Sequence, residues 1–259
     1  TKNDIAFARL NSDGKLAEDI FYTIADLSKS GIVSAEKAEE IFSVEIGTVF
    51  EPEYEFGTYK MIKVVSEEEQ QEIDVDITDA EGKVTGTNKQ LNFKTSFRAS
   101  HILIKPEGDT DADTTKAMAE AAKLLARVKK GESFADLALE FGTDGSKDKG
   151  GDLGWWNDGG MVKAFQKGVN KMSQGDLRVV KSRFGAHLIS LTHEPVTVRR
   201  KIATIEKSIN PSAETEKAVY SAAAGVWDKA QTSEEFVNAT MEMTLNVGIA
   251  ETVKKTDNT

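Results

Sequence analysis

Few side chains in this 259-residue sequence can do acid–base or nucleophilic work, and their positions narrow the chemistry at once. There is no cysteine, which excludes thiolate nucleophiles, disulfides and cysteine metal sites. The sequence has three histidines; two of them, His101 and His187, fall in strand-like stretches on either side of a glycine-rich run, Gly150, Gly151, Asp152, Leu153, Gly154, Trp155, Trp156. Asp144 precedes the run, and Ser182 lies shortly before His187. His101, His187 and Asp144 would make a metal site of two histidines and a carboxylate, but they sit on separate elements with no HxH or HxxxH spacing. A serine hydrolase is not supported either: no GxSxG is present, and Ser146 stands in a loop without a nucleophile elbow. Beside these polar groups are apolar ones, Leu153 in the glycine run and Met161 and Phe165 four apart, a spacing that places them on one helical face.

The elements that must hold these residues are legible from periodicity. Residues 97–104 alternate as a strand, with Ala99, His101 and Leu103 on one face and Ser100, Ile102 and Ile104 on the other. An acidic loop, Glu107, Asp109, Asp111, Asp113, leads to a helix over about 114–130, whose apolar positions Ala117, Ala121, Leu124, Leu125 and Val128 keep helical spacing and which Gly131 ends. Ser133 and Asp136 cap a second helix with Phe134, Leu137, Ala138 and Phe141 inward. The glycine run reads as a shaped loop, because adjacent glycines permit dihedrals closed to other residues. An amphipathic stretch over 161–167 follows, then Val179 and Val180, a turn at 182–184, and a closing strand over 186–191 in which His187, Ile189 and Leu191 share a face.

Outside this central α+β unit, residues 1–65 show apolar positions Ile5, Phe7 and Leu10, a helix over 35–42 and a strand over 56–64. Residues 66–96 read as an acidic linker or exposed hairpin, with Ile73, Val75 and Ile77 alternating before a turn at 79–82, and carry no assigned chemistry. Residues 195–259 begin with a strand at Ile202 and Thr204, continue in a long helix after Pro211 and Ser212 and a second helix capped at Ser233, and end in a polar tail. The formal net charge of -10, from 43 acidic and 33 basic residues, argues against nucleic acid and against a polybasic membrane patch. No apolar run approaches the roughly 18 residues of a membrane span. The start at Thr1 shows no signal-peptide pattern and suggests a piece of a longer chain.

Residues 97–194 resemble a parvulin-type prolyl isomerase domain. The resemblance rests on His101 in the first strand, the helix Phe134, Ala135, Asp136, Leu137, Ala138, Asp144 followed by Gly150 to Gly154, Met161 with Phe165, and the ending Phe184, Gly185, Ala186, His187. It implies an α+β fold with an antiparallel sheet flanked by helices, and catalytic positions at His101, Asp144, His187 and Ser182. It also implies a proline pocket of Leu153, Met161, Phe165 and Phe184, no metal and no cofactor. Val162 departs from the polar residue that some members carry beside the methionine. The flanks are similar to those of periplasmic PpiD-like and SurA-like folding factors, which implies a parent chain anchored outside this stretch and unfolded or proline-containing polypeptides as partners. The expected activity is cis/trans isomerisation at Xaa-Pro in an apolar pocket, with no nucleophile required. A catalytically weak holdase built on the same domain is the alternative, and a histidine pair that merely stiffens the sheet is compatible with both. The acidic loop predicts no preference for phosphorylated substrates.

Comparing the chain with itself adds a further expectation. Gly31, Gly47, Phe56, Gly57 and Tyr59 match Gly159, Gly175, Phe184, Gly185 and His187 at a constant offset of 128. Asp26 and Leu27 meet Asp152 and Leu153 at 126, and Asp13 meets Asp144 at 131. Ala203, Trp227 and Phe236 match His101, Leu125 and Phe134 at 102. Residues 1–65 therefore read as the second half, and 195–259 as the first half, of a degenerate parvulin-like module without histidines. Neither half buries enough surface alone, so the two are expected to pack together, within one molecule or between two, into a degenerate parvulin-like body that binds clients, with residues 56–64 and 201–205 in related sheets.

Overall fold

The computed structural model describes residues 2–13, 19–55, 57–229, 232, 235 and 238. In chain order the elements are α1 (Lys2–Asn11), α2 (Ile24–Leu27), α3 (Ala35–Ser43), β1 (Glu53–Glu55), β2 (Thr58–Glu69), β3 (Glu72–Thr78), β4 (Val84–Leu91), β5 (Ser96–Ile104), α4 (Asp111–Lys129), α5 (Phe134–Phe141), β6 (Asp152–Asn157), α6 (Lys163–Val169), β7 (Leu177–Ser182), β8 (Gly185–Leu191), β9 (Val198–Ser208) and α7 (Ala213–Lys229). They form three sheets, ordered β1-β2-β9, β3-β4 and β6-β5-β8-β7. The chain divides into two compact units, residues 1–53 with 60–207, and residues 54–59 with 208–259.

In the first unit, the four-stranded antiparallel sheet bears out the α+β expectation. Its strand β5 pairs with β8 in the register Ala99↔Leu191, His101↔Ile189 and Leu103↔His187, which keeps the alternating faces intact along both strands. One face, with Ile102 and Leu188, packs on Leu124 of α4 and Leu137 and Ala138 of α5. The opposite face, with Ala99, Ile189 and Leu191, packs on Phe165 and Val169 of α6. Helix α4 begins earlier than its apolar pattern suggests, because Thr110 and Asp113 close a capping box at its N-terminus. Helix α5 is capped at Ser133 as expected.

The remainder of this unit is built on β2 and β9, neighbours in one sheet. One face, with Ile62, Val64 and Ile202, packs on Ile24, Leu27, Ala38 and Ile41 of α2 and α3, and Trp155 of β6 is buried in the same cluster. The other, with Val65, Ala203 and Ile205, packs on Ile5 and Ala8 of α1. The apolar pattern expected of α1 is thus displaced: Ile5 and Ala8 are inward, while Phe7 and Leu10 are exposed. Ala203 points away from the α2/α3 face that its neighbour Ile202 joins, so it does not occupy a position like that of His101, which faces its own domain's α6 side.

Some residues 128 apart share local geometry. Helices α3 and α6 begin at Ala35 and Lys163, after the N-cap residues Ser34 and Val162, of which only Ser34 caps with its side chain. Gly31 and Gly159 share positive φ angles of 72° and 83°. Gly47 donates to the Val64 carbonyl and Val64 to that of Thr48, while Gly175 donates to Leu191 and Leu191 to Asp176, a similar bond pair whose strand partners are one residue out of that register. The match of Asp26 and Leu27 to Asp152 and Leu153 fails, because the first pair lies in a single helical turn and the second opens a strand.

The expected hairpin of residues 66–96 forms β3 and β4, an isolated two-stranded ribbon. In the second unit, Ile209 donates to the carbonyl of Gly57, Tyr54 and Tyr59 pack ring to ring at 5.2 Å, and α7 is the expected long helix. Of the helix expected from Ser233 through Phe236 and Met243 only residues 235 and 238 are described, both helical; Ser233, Phe236, Met243 and the side chain of Trp227 lie outside the described residues.

Candidate functional site

The site forms on the α6 side of the four-stranded sheet, and the glycine run sets its geometry. Gly150 and Gly151 adopt left-handed φ angles of 63° and 83°. A Cβ on Gly151 would lie 2.3 Å from the His101 carbonyl oxygen, so only a hydrogen can face that strand. This close approach lets the His101 amide donate to the Gly151 carbonyl at 2.9 Å. The sequence reading of the run as a loop holds only to Gly151; from Asp152 it becomes β6, with a register shift between Arg98 and Ser100 of β5.

The expected polar residues meet in one continuous row. Asp144 is held by the neighbouring Thr143, whose amide and hydroxyl both donate to the Leu103 carbonyl, at 3.0 and 2.7 Å. Its carboxylate lies 2.8 Å from His101 Nε2 and accepts from the Ser146 hydroxyl at 2.9 Å. The two histidines are stacked at 20° with Nδ1 atoms 3.1 Å apart, and His187 Nε2 lies 2.7 Å from Ser182 Oγ. One proton assignment satisfies every contact with both rings neutral. Ser182 donates to His187 Nε2, His187 Nδ1–H to His101 Nδ1, and His101 Nε2–H to the ionised Asp144. All four imidazole nitrogens are thereby occupied.

The electrostatics favour this arrangement. Burial pushes the basicity of His187 down, the neighbouring His101 adds to the effect, and Asp144 only partly opposes it, giving a pKa of about 4. Burial alone would raise the Asp144 pKa, but hydrogen bonds from Ser146 and His101 hold it below the ordinary carboxylate value. His187 is therefore neutral and Asp144 ionised near neutrality.

Beside the row is the apolar cluster. Phe165 is almost fully buried, its ring edge-on to His101 and His187 with centroids 5.7 and 5.4 Å away. Leu153 and Met161 pack against the same cluster half-buried. Met161 does not share a helical face with Phe165, however: α6 starts at Lys163 after Val162, and Met161 reaches the cluster from the preceding loop. Phe184 does not join the cluster. Its ring is exposed beneath the Arg183 guanidinium, while its amide donates to Ser182 Oγ.

Sequence reasoning missed two supports. Trp156 packs on Phe97 and Phe165, and its indole N–H donates at 3.0 Å to buried Gln166, whose amide donates to Asn170. This clamp ties α6 to β6. On the other face of β6, Arg98 bridges Asp152 at 2.7 Å and Glu39, and Trp155 Nε1 donates to Glu39 at 2.9 Å. The alternation of Trp155 and Trp156 was the available signal, since adjacent strand residues point to opposite sides.

Residues 83–195 match the protein family described as the PPIC-type PPIASE domain. The foldase protein PrsA 1 of Bacillus cereus is 40% identical over 112 residues, covering 42% of this chain and 35% of that protein. The foldase protein PrsA of Bacillus subtilis is 37% identical over 134 residues, covering 49% and 42%. The chaperone SurA of Alkalilimnicola ehrlichii is 40% identical over 100 residues, covering 38% and 23%. The chain thus spans less than half the length of these relatives. Among solved structures, the peptidylprolyl isomerase PrsA of Bacillus anthracis is 23% identical, covering 61% of this chain and 64% of that chain, with a TM-score of 0.34.

Proposed function

We propose, from the premise that residues 83–195 are a parvulin-type peptidyl-prolyl isomerase domain, that this chain catalyses cis/trans isomerisation at Xaa-Pro bonds and so assists the folding of exported polypeptides in the cell envelope. The observation that carries this reading is the union of a complete polar row, Asp144–His101–His187–Ser182, with an apolar wall of Leu153, Met161 and Phe165 on one sheet face. Rotation about the prolyl bond must overcome about 18–20 kcal/mol of amide resonance. The planar amide is the more dipolar state, so transfer from water into an apolar wall favours the twisted one. In this reading Leu153, Met161 and Phe165 hold the prolyl ring. Asp144, His101, His187 and Ser182 keep one fixed proton arrangement, so the site does not reorganise while the amide turns. Phe184 is assigned an outer substrate contact.

The flanks, in the same proposal, form a degenerate parvulin-like body that holds clients beside the active domain. Support comes from the shared β2–β9 sheet, the matching starts of α3 and α6, and the paired Gly47 and Gly175 hydrogen-bond patterns. The test is isomer exchange in an Ala-Pro peptide and refolding of a proline-limited protein, with wild type and with Met161→Ala plus Phe165→Ala. The wild type should accelerate both beyond the uncatalysed tens of seconds, and the double variant should lose most of that acceleration. Suppression of client aggregation with no acceleration by the wild type would replace the enzyme reading with the holdase.

A further inference from the structure

The hairpin of β3 and β4 belongs to no part of the isomerase site, yet its pattern is specific. Strand β3 reads Glu72, Ile73, Asp74, Val75, Asp76, Ile77, a strict alternation of carboxylates with β-branched residues. Its ladder with β4 sets Ile73 opposite Gln90, Val75 opposite Asn88 and Ile77 opposite Gly86. The apolar row therefore receives no apolar neighbour across the ladder, and Ile73 and Ile77 remain 42% and 49% exposed. On the reverse face Glu72 stands opposite Leu91, Asp74 opposite Lys89 and Asp76 opposite Thr87, three carboxylates against a single lysine. Because the sheet has only two strands, the other edge of β3 has no strand beside it among the described residues.

We infer that this outer edge of β3 is a docking strand for an extended client segment in which Lys or Arg alternates with Val, Ile or Leu. An added strand presents one residue opposite each residue of β3. The partner that places apolar side chains against Ile73, Val75 and Ile77 must, by the same period of two, place its other side chains against Glu72, Asp74 and Asp76. Cations there gain cross-strand attraction, whereas carboxylates are repelled. A second copy of β3 fails this test: an antiparallel pairing that joins the two apolar rows sets carboxylate against carboxylate, the usual defence of an exposed edge against self-association. Occupancy would also support the ribbon itself, since two strands alone are marginally stable in water. The inference rests on the proposed role in assisting unfolded polypeptides and assigns one segment class that such clients carry.

The experiment uses the whole chain and three proline-free octapeptides: alternating Lys-Val-Lys-Ile, the same composition in two blocks, and the alternating peptide with Glu for Lys. Calorimetric titration should show the alternating basic peptide binding at least about tenfold more tightly than either control, with affinity falling as salt rises. Hydrogen exchange should slow at β3 amides on binding. Asp74→Lys plus Asp76→Lys should weaken binding of the basic peptide about tenfold and reverse the preference toward the acidic one, with Ala-Pro isomerisation unchanged. Equal affinity for the blocked peptide, exchange protection elsewhere but not in β3, or an unchanged preference in the charge-reversed variant would overturn the inference. Because isomerisation is read separately, loss of that activity reading leaves this result intact, and the reverse also holds.

Discussion

Lowering the pH from about 7 to about 5 should cost the wild-type chain stability that a His187→Gln variant keeps. His187 has a pKa of about 4 in the folded protein, against an unperturbed value of 6.5. Between those values the unfolded chain binds the proton and the native one resists it, so stability is highest above 6.5 and is lost progressively as the pH falls toward 4. At pH 5 about 1.5 of the separating pH units have been crossed, worth about 2 kcal/mol, and solvent screening discounts this to about 1–2 kcal/mol. The carboxyl of Asp144 is also shifted down, but its contribution is present above its unperturbed value of 3.8 and lost only below it, outside this window. His193 is lowered too, first by burial and then by Arg98, and it remains in both proteins, so it cancels in the comparison. The assay is urea unfolding followed by tryptophan fluorescence at both pH values. At pH 7 the variant should be the less stable protein, having lost the bonds to His101 and Ser182; at pH 5 the gap should narrow by the calculated amount. A gap that stays constant, or widens, refutes the assignment of His187 as a neutral, buried member of the row.

Gly151→Ala should destabilise the chain by about 2–4 kcal/mol and displace His101, reducing isomerisation beyond what unfolding explains, because its Cβ meets the His101 carbonyl at 2.3 Å. Gly154→Ala, also at positive φ but with nothing within 4 Å of the new Cβ, should cost only about 1–2 kcal/mol in the same denaturation experiment. Gln166→Leu strands the buried Trp156 indole N–H and should cost about 1–3 kcal/mol. It should also raise KM for a proline peptide by loosening α6. A phosphoserine-proline peptide should turn over more slowly than its unmodified counterpart. The cleft of about 290 Å³ after β5 sets Glu107, Asp113 and Glu120 against Lys105 and Lys116, and the adjoining loop adds Asp109 and Asp111.

The parts of this molecule that follow from local rules were readable in advance. The alternation along β5 and β8 put His101 and His187 on one face, and the Ser133 cap and the apolar spacing of α4 and α5 gave the covering helices. What escaped depended on long-range pairing or on a shift of one residue. A bulge against β5 accompanies the strand that takes in all of the glycine run after Gly151, and glycines are equally at home in a loop and in a bulged strand. In α1, Ile5 with Ala8 and Phe7 with Leu10 have the same spacing; packing against Val65 and Ala203 chose the first pair. Ala203 was set against His101 by an alignment one residue out of phase, which in a strand exchanges the two faces. The Trp156–Gln166 and Arg98–Glu39 contacts join side chains from different elements, and neither residue type announces its partner.

The two adjacent indoles of β6 have a consequence for dissecting the chain. Trp156 belongs to the cluster around Phe165, and Trp155, 4% exposed, to the cluster of α2, α3, β2 and β9. A fragment trimmed to residues 97–194 would therefore carry a bare indole and the unmatched Arg98–Asp152 face into water, trading a covered wall for an adhesive one. Autonomy of the four-stranded sheet is lost at a single side chain, and proteolytic or genetic excision that respects every strand boundary still cuts through a core.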